Sequence, residues 1–420
     1  VSEPVSIAER ASWLREPGLQ SLLAVLSAEG EEARIAGGAV RNALLGEPVA
    51  DVDVATTTLP EETVRRAEAA GFRAVPTGIE HGTVTVLAQG RPVEVTTLRA
   101  DVETDGRRAT VCFGRDWQAD AGRRDFTINA LYAKADGTVV DLVGGVADIG
   151  EKRLRFIGDA EARIREDFLR ILRFFRFFAW YGAGRPDAEG LKACARLKDG
   201  LARLSAERVW SELRKLLRAP DPSRALLWMR QAGVLSAVLP ESANWGIDAI
   251  HGLVAAERDL DWSVDPLLRL EAMVPPDPAR MEALADRLKL STAERLRLRH
   301  WATSLPLGPE LTETALARML YRGDPKAAVD QLRLRLAGAR AKAAADDAAL
   351  IQAGGFFKLL RFAEGWERPA FPLKGADLLQ AGFSAGPQVG ETLARLEEEW
   401  IESGFRLGRD ALLGRVTTTG

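Results

Sequence analysis

The chain has 420 residues, 46% of them hydrophobic and 28% charged, with a formal net charge of −3. This length allows several domains with a sizeable core, and the composition is that of an ordinary globular protein. Cys112 and Cys194 are the only cysteines and His81, His251 and His300 the only histidines, which excludes a disulfide framework, a cysteine-built zinc site and a histidine-rich hydrolase centre.

No run of about 18 apolar residues is present, so no transmembrane helix is expected. The opening VSEPVSIAERASWLREPG has no apolar stretch behind a basic end, so no signal peptide is expected either. The two cysteines suit a reducing cytoplasm. The slightly acidic balance leaves nucleic acid open as a partner, because a local basic groove can sit on an acidic body.

The first informative stretch is IAGGAVRNALLGEPVADVDVAT, residues 35–56. A strand (RIA) runs into Gly37-Gly38 and then into a helical pattern. Glycines let backbone approach a ligand closely, and the free amides of a helix N-terminus favour an anion. Arg41, one turn into the helix, can fork onto the same phosphate. Neither GxxxxGK[ST] nor GxGxxG is present, and a Gly pair before a helix is often only a tight turn. In ADVDVAT, read as a strand, Asp51 and Asp53 fall on one face through the period of two. Two such carboxylates repel unless a cation sits between them, and Mg²⁺, which takes oxygen ligands, suits the place. The plainer alternative is a solvated strand edge. Together, a phosphate cradle and a metal pair describe a nucleoside triphosphate site.

LPEETVRRAEAAG (59–71) predicts a helix with Pro60 in its first turn and Gly71 as its stop. GTVTVLAQGRPVEVTTL (82–98) and TVVDLV (138–143) predict strands by alternation and β-branching. Glu94 in that strand region is a candidate third carboxylate for a two-metal site; the alternative is an exposed strand residue. After about residue 150 the chain is Leu-, Ala- and Arg-rich with helical spacing, broken by loops such as VPPDPAR, SLPLGPE and ERPAFPLKG. The layout is α+β.

In EDFLRILRFFRF (166–177) the spacing predicts a helix with Phe168, Ile171, Leu172, Phe175 and Phe178 as its core stripe. Glu166, Arg170 and Arg173 lie on another face, and Asp167 and Arg170 are i, i+3 neighbours. One reading is a surface salt-bridge ladder. The other is a protein template. A carboxylate accepts from the amino group of cytosine or adenine, and a guanidinium donates to the ring nitrogen beside it. Uracil and guanine present a carbonyl where the carboxylate needs a donor.

GGAVRN, DVDVAT, RRDFTINAL (123–131), DLVGGVADI (141–149) and EDFLRILRFFRF occur in an order that resembles the class II transfer-RNA nucleotidyltransferases and bacterial poly(A) polymerases, which share one head. PLKGADLLQAGFSAGPQVGETLARLEEEW (372–400) resembles the tail of bacterial members. The resemblance implies a polymerase-β-like head over residues 1–150. A helical neck with the base-reading helix would follow over 151–215, then an RNA-binding helical body and tail over 216–420. It implies Asp51 and Asp53 as ligands of Mg²⁺ in a two-metal mechanism, and Gly37, Gly38 and Arg41 at the triphosphate. It places Arg124 on phosphate and Asp125 and Asn129 near the ribose, although Asp125 is also an expected helix N-cap. Asp167 and Arg170 would read the base, with Arg173 and Arg176 nearby on nucleotide or phosphate.

Two departures from the family pattern stand out. Asn42 replaces the usual Asp of GGxVRD, and Leu142-Val143 replaces Pro-Phe. Residues 98–122 occupy the place of a flexible loop. Lys374 with the helix start after it is a further candidate for an RNA phosphate. The expected activity is template-independent addition of C, C and A to transfer RNA from CTP and ATP, by a monomer with no membrane partner. A poly(A) polymerase, a half-enzyme adding only CC or only A, and a non-catalytic RNA-binding protein are the alternatives. A small-nucleotide transferase fits the long helical body less well.

Overall fold

The structure is a computed structural model and describes residues 4–100, 112–243 and 247–416. Contacts divide the chain into two units, residues 1–204 with 228–237 and residues 205–227 with 238–420.

The first unit is built on a seven-stranded mixed sheet. Its strands are β1 (Ala33–Ala36), β2 (Asp53–Thr56), β3 (Arg73–Gly78), β4 (Thr83–Ala88), β5 (Arg91–Thr97), β8 (Leu131–Ala133) and β9 (Val139–Asp141), in the order β3-β4-β5-β2-β1-β8-β9. A separate ribbon pairs β6 (Arg99–Ala100) with β7 (Cys112–Phe113). Only β2 and β5 run parallel. β4 and β5 form a hairpin whose two turn residues, Gln89 and Gly90, both have positive φ, the twist that a two-residue hairpin turn requires. β3 contains Pro76 and lies at the sheet edge, where a missing amide costs no ladder bond. That proline hid it from the sequence reading.

Strand alternation decides what each face carries. Val54, Val84, Val86, Val93 and Val95 point into a core shared with α1 (Pro17–Leu26), α2 (Gly38–Leu45) and α3 (Pro60–Ala69). Burying one such valine contributes on the order of 1.5–3 kcal/mol. The neighbouring residues Asp53 and Glu94 therefore project from the opposite face, the face of Ala55. The segment expected as a loop over 98–122 is ordered at its ends: the β6–β7 ribbon, then α4 (Trp117–Gly122), capped by Asp116, which accepts from the amides of Gln118 and Ala119. Residues 101–111 of that segment lie outside the described residues.

α5 (Gly145–Gly150), α6 (Ala160–Glu166), α7 (Leu169–Tyr181) and α8 (Ala188–Leu197) complete most of this unit. The single helix expected over 166–177 is interrupted: α6 stops at Glu166, and α7 begins at Leu169. Asp167 is the C-cap of α6 and its Oδ1 accepts from the Leu169 amide at 3.0 Å, while Phe168 is the N-cap of α7. Ile171, Leu172, Phe175 and Phe178 are buried as the spacing predicts, but so are Phe174 and Phe177. These two pack into a ring cluster in which Phe126 meets Phe156 at 4.8 Å and Phe177 at 5.5 Å. The cluster locks α7 against the RRDFTIN segment.

The second unit is helical and punctuated as the sequence suggests. Asp265, Asp277, Ser291, Thr312, Asp324 and Asp346 each cap a helix by accepting backbone amides. The arginines of 286–302 are not simply a solvated face: Arg287 pairs with Glu241, Arg295 with Glu282 and Asp286, and Arg297 with Asp265 and Asp330. The helix start after Lys374 already holds a carboxylate, since Asp377 accepts from the Lys374 amide at 2.7 Å and from Arg409. An RNA phosphate has less to gain there.

Candidate active site

Asp53 opens β2 and stands in direct register with Glu94 on β5. Asp51 precedes the strand in extended chain rather than lying within it, because pairing of β2 begins at Asp53. Burial, then the charges of Glu94 and Asp51, push the Asp53 carboxyl above its ordinary range, with Arg124 opposing them. Asp53 thus senses the other two carboxylates. Among the described residues no hydrogen bond or ion pair is made to the side chains of Asp51, Asp53 or Glu94. No group of three or more described acidic, Cys or His side chains is placed to hold a metal ion by itself. Mg²⁺ fits such a donor set, since it is usually held by one or two carboxylates and completed by substrate phosphates and water.

The glycine turn lies one strand away. Gly37, at the end of β1, has φ of 65°, and a Cβ there would stand 3.2 Å from Arg124 Nη1 and 3.3 Å from the Asn129 carbonyl. Glycine is required both for the conformation and for this approach. Gly38 starts α2. Arg41 does not extend freely toward solvent: it is 7% exposed, with its donors directed at neutral acceptors. Its Nε and Nη2 donate to Asn42 Oδ1 at 3.1 and 2.9 Å, and Nη2 also donates to Tyr181 Oη at 2.9 Å. Its Nη1 donates to Asn129 Oδ1. The Tyr181 ring lies under the guanidinium, 4.1 Å away. Asn42 has its own reason to be an amide, because its Nδ2 donates to the Pro48 carbonyl at 2.8 Å, which a carboxylate cannot do.

RRDFTIN gathers the next residues. Arg124 donates to Asp120 Oδ2 through Nε and Nη2, at 3.2 and 3.1 Å, and Tyr132 Oη donates to the same oxygen at 2.6 Å. Arg123 binds the other oxygen. Burial alone would raise the Asp120 carboxyl; the Arg124 and Arg123 charges outweigh it and hold it below its usual range. The sequence reading missed Asp120. Its signal was the i, i+3, i+4 spacing to the two arginines. Asp125 is not the expected N-cap: the short turn Thr127–Asn129 starts from Phe126. Its carboxylate instead accepts from Asn129 Nδ2 at 3.1 Å and from Arg173 Nε at 2.7 Å. DLVGGVADI supports this segment from below. Asp141 accepts four successive amides, Val143 to Val146. A Cβ on Gly145 would stand 2.3 Å from the Thr127 carbonyl, so only glycine allows α5 this close. Buried Asp148 holds the Thr127 hydroxyl at 2.6 Å, with Arg153 and Arg155.

On α7, Arg170 donates to Glu166 and to the carbonyls of Arg163 and Arg123, at 2.8 Å and 3.4 Å for the carbonyls. Arg173 is tied to Asp125, and Arg176 lies over the Phe177 ring at 4.0 Å. The structure therefore brings Gly37, Arg41, Asn129, Asp125 and Arg173 into one connected chain. Asp53 with Glu94 forms a second group, linked to the chain's neighbour Arg124 by charge.

A mixed sheet with a glycine turn and strand-paired carboxylates is the architecture of a nucleotidyltransferase head. The model of the Poly A polymerase head domain matches residues 33–155, and that of the probable RNA and SrmB- binding site of polymerase A matches residues 185–245. The mitochondrial CCA tRNA nucleotidyltransferase 1 of Mus musculus is 36% identical over 409 residues, covering 96% of this chain and 90% of its own. The CCA-adding enzyme of Levilactobacillus brevis is 32% identical over 406 residues, covering 94% and 96%. The crystal structure of the Bacillus stearothermophilus CCA-adding enzyme in complex with CTP superposes with a TM-score of 0.67 at 28% identity, over 92% of this chain and 94% of that one. The chain belongs to the family of CCA tRNA nucleotidyltransferases and is a nucleotidyltransferase. No helix among the described residues is long and apolar enough to cross a membrane.

Proposed function

We propose that this chain is a template-independent RNA nucleotidyltransferase that adds C, C and A to transfer-RNA 3′ ends from CTP and ATP, releasing pyrophosphate. The observation that carries this reading is the pairing of Asp53 with Glu94, near Asp51, where burial and like charge outweigh the Arg124 charge and leave the Asp53 carboxyl above its ordinary range. Asp51 and Asp53, assisted by Glu94, would hold Mg²⁺, which lowers the pKa of an attacking hydroxyl and neutralises charge on the leaving pyrophosphate.

The chain's own residues do the positioning. The Gly37–Gly38 turn and the start of α2 receive the triphosphate through backbone amides, with Arg124 and the Arg41 charge behind it. Asp125 and Asn129 face the ribose, whose 2′-hydroxyl both donates and accepts. Asp167 and Arg170 read the base edge: the carboxylate accepts the amino group of C or A, and the guanidinium donates to the adjacent ring nitrogen. Arg173 holds Asp125, and Arg176 flanks the nucleotide. The 3′-hydroxyl of the RNA then attacks the α-phosphorus in line. The head over 1–150, the neck over 151–215 and the RNA-binding body and tail over 216–420 form the working divisions of a monomer. A reducing cytoplasm suits its free cysteines, exposed Cys112 and buried Cys194.

An extension assay tests this. Transfer RNAs ending at the discriminator base, at C or at CC, and an unstructured oligonucleotide, would be offered Mg²⁺ with single nucleotides and with CTP plus ATP. Growth that stops at CCA is expected. Long A tracts on the oligonucleotide would make it a poly(A) polymerase, and arrest at CC or addition of A alone a half-enzyme. No extension anywhere would return the chain to RNA binding only.

A further inference from the structure

Arg41 is a buried guanidinium whose named acceptors are all neutral: Asn42 Oδ1, Asn129 Oδ1 and Tyr181 Oη. Among the described residues no carboxylate forms an ion pair with it, although burial disfavours its charge and lowers its pKa. The nearest anionic side chain in this chain of bonds, Asp125, is reached only through the Asn129 amide and is itself occupied by Arg173. A buried cation in this state is costly unless an anion arrives. It stands one turn behind the Gly37–Gly38 amides, with Gly38's open side 3.7 Å from Arg41 Nη2.

The remaining contacts fix where this cation sits. Tyr181, at the end of α7, supplies both a ring beneath the guanidinium and an oxygen beside it. Tyr181 Oη also lies 3.5 Å from Asn42 Oδ1, closing a triangle among Arg41, Asn42 and Tyr181. From Arg41 the bonds run to Asn129, Asp125 and back to Arg173 on α7. A loop of hydrogen bonds thus leaves α7 at Arg173 and returns to it at Tyr181, passing through the ribose-facing pair.

We propose that Tyr181 and Asn42 are positioning residues for nucleotide selection. Tyr181 orients Arg41 and, through it, the Asn129 amide and Asp125 carboxylate that distinguish ribose from deoxyribose. Asn42, as an amide rather than an acid, leaves the Arg41 charge uncancelled so that it serves the incoming triphosphate. This rests on the nucleotidyltransferase reading above and extends it to two residues that touch neither substrate nor metal.

The test uses equilibrium binding of CTP and dCTP to the full chain, with turnover measured alongside. Tyr181→Phe keeps the ring and removes the oxygen. The CTP-over-dCTP affinity ratio should fall about fivefold to tenfold, the size of one misplaced buried hydrogen bond, while the circular dichroism stays unchanged. Asn42→Asp should weaken CTP and dCTP alike by about tenfold through the new Arg41 ion pair, leaving their ratio intact. Asn42→Ser, which adds no charge, should weaken both less. A Tyr181→Phe ratio within twofold of the parent, or an Asn42→Asp affinity no lower than that of Asn42→Ser, would overturn the proposal. If the parent chain binds CTP but extends no RNA, the turnover reading fails while the binding ratios still decide this one.

Discussion

Two acidic clusters in this molecule meet opposite fates. In the first unit Asp53 pairs in register with Glu94, senses the charges of Glu94 and Asp51, and has no ion pair, only the charge of Arg124 opposing them, so its own charge is disfavoured. In the second unit Asp265, Glu271 and Asp330 also converge, but Arg297 donates to Asp265 at 2.6 Å and to Asp330 at 2.8 Å, and Lys326 reaches Asp330 at 2.8 Å. Three carboxyls against two cations leave one negative charge too many. Glu271 is the odd member: it is 1% exposed, and neither carboxyl oxygen has a hydrogen-bond partner. Carboxylates supplied with arginine and lysine form a structural joint. Carboxylates left without ion pairs are the ones proposed above to take a cation from solution.

Asp51→Ala or Asp53→Ala should lower turnover by about three orders of magnitude or more, since each removes support for charge in the transition state. Transfer-RNA binding should persist; a parallel loss of RNA binding would mean the pair holds the fold instead. The matching change in the second unit, Arg297→Ala, leaves buried Asp330 with Lys326 alone and Asp265 without its arginine. It should cost about 3 kcal/mol in urea unfolding, and an unchanged midpoint would contradict a structural joint.

Arg170→Ala separates selectivity from rate. It should relax discrimination against UTP by roughly tenfold, the effect of one lost base-edge contact, as read from single-nucleotide kcat/KM ratios. Constant selectivity with a lower rate would remove it from base reading.

The smallest effect concerns Glu271. Burial, then the Asp330 charge, raise its carboxyl well above the ordinary range, with Arg297 opposing. The folded state therefore binds this proton more tightly than the unfolded state does. Its contribution to stability is complete below the unfolded pKa and is lost as pH rises through the higher folded pKa. Glu271→Gln mimics the protonated form, so at alkaline pH it should be more stable than the parent by about 1 kcal/mol. In acid the two should converge. Equal unfolding midpoints across the whole range would show that Glu271 titrates alike in the folded and unfolded states.

The sequence alone determined whatever depends on neighbours a few positions away. The Gly37 turn, the Asp caps, the Pro60 and Gly71 limits of α3 and the alternation that sends Asp53 away from the core follow from backbone sterics and periods of two and 3.6. The family motifs belong to this class, and so does the buried stripe of α7, apart from Phe174 and Phe177. Tertiary structure decided the rest. The partnership of Asp53 with Glu94 is a parallel register between strands separated by β3 and β4. The rerouting of Asp125 to Arg173, the neutral cage around Arg41 and the setting of Glu271, which makes no side-chain hydrogen bond and stands 3.8 Å from Arg297, depend on residues far apart in the chain. Their physical reason is shared: whether a charged side chain is paired, solvated or stranded depends on which groups packing brings to it and how much water packing removes, and no local spacing encodes either.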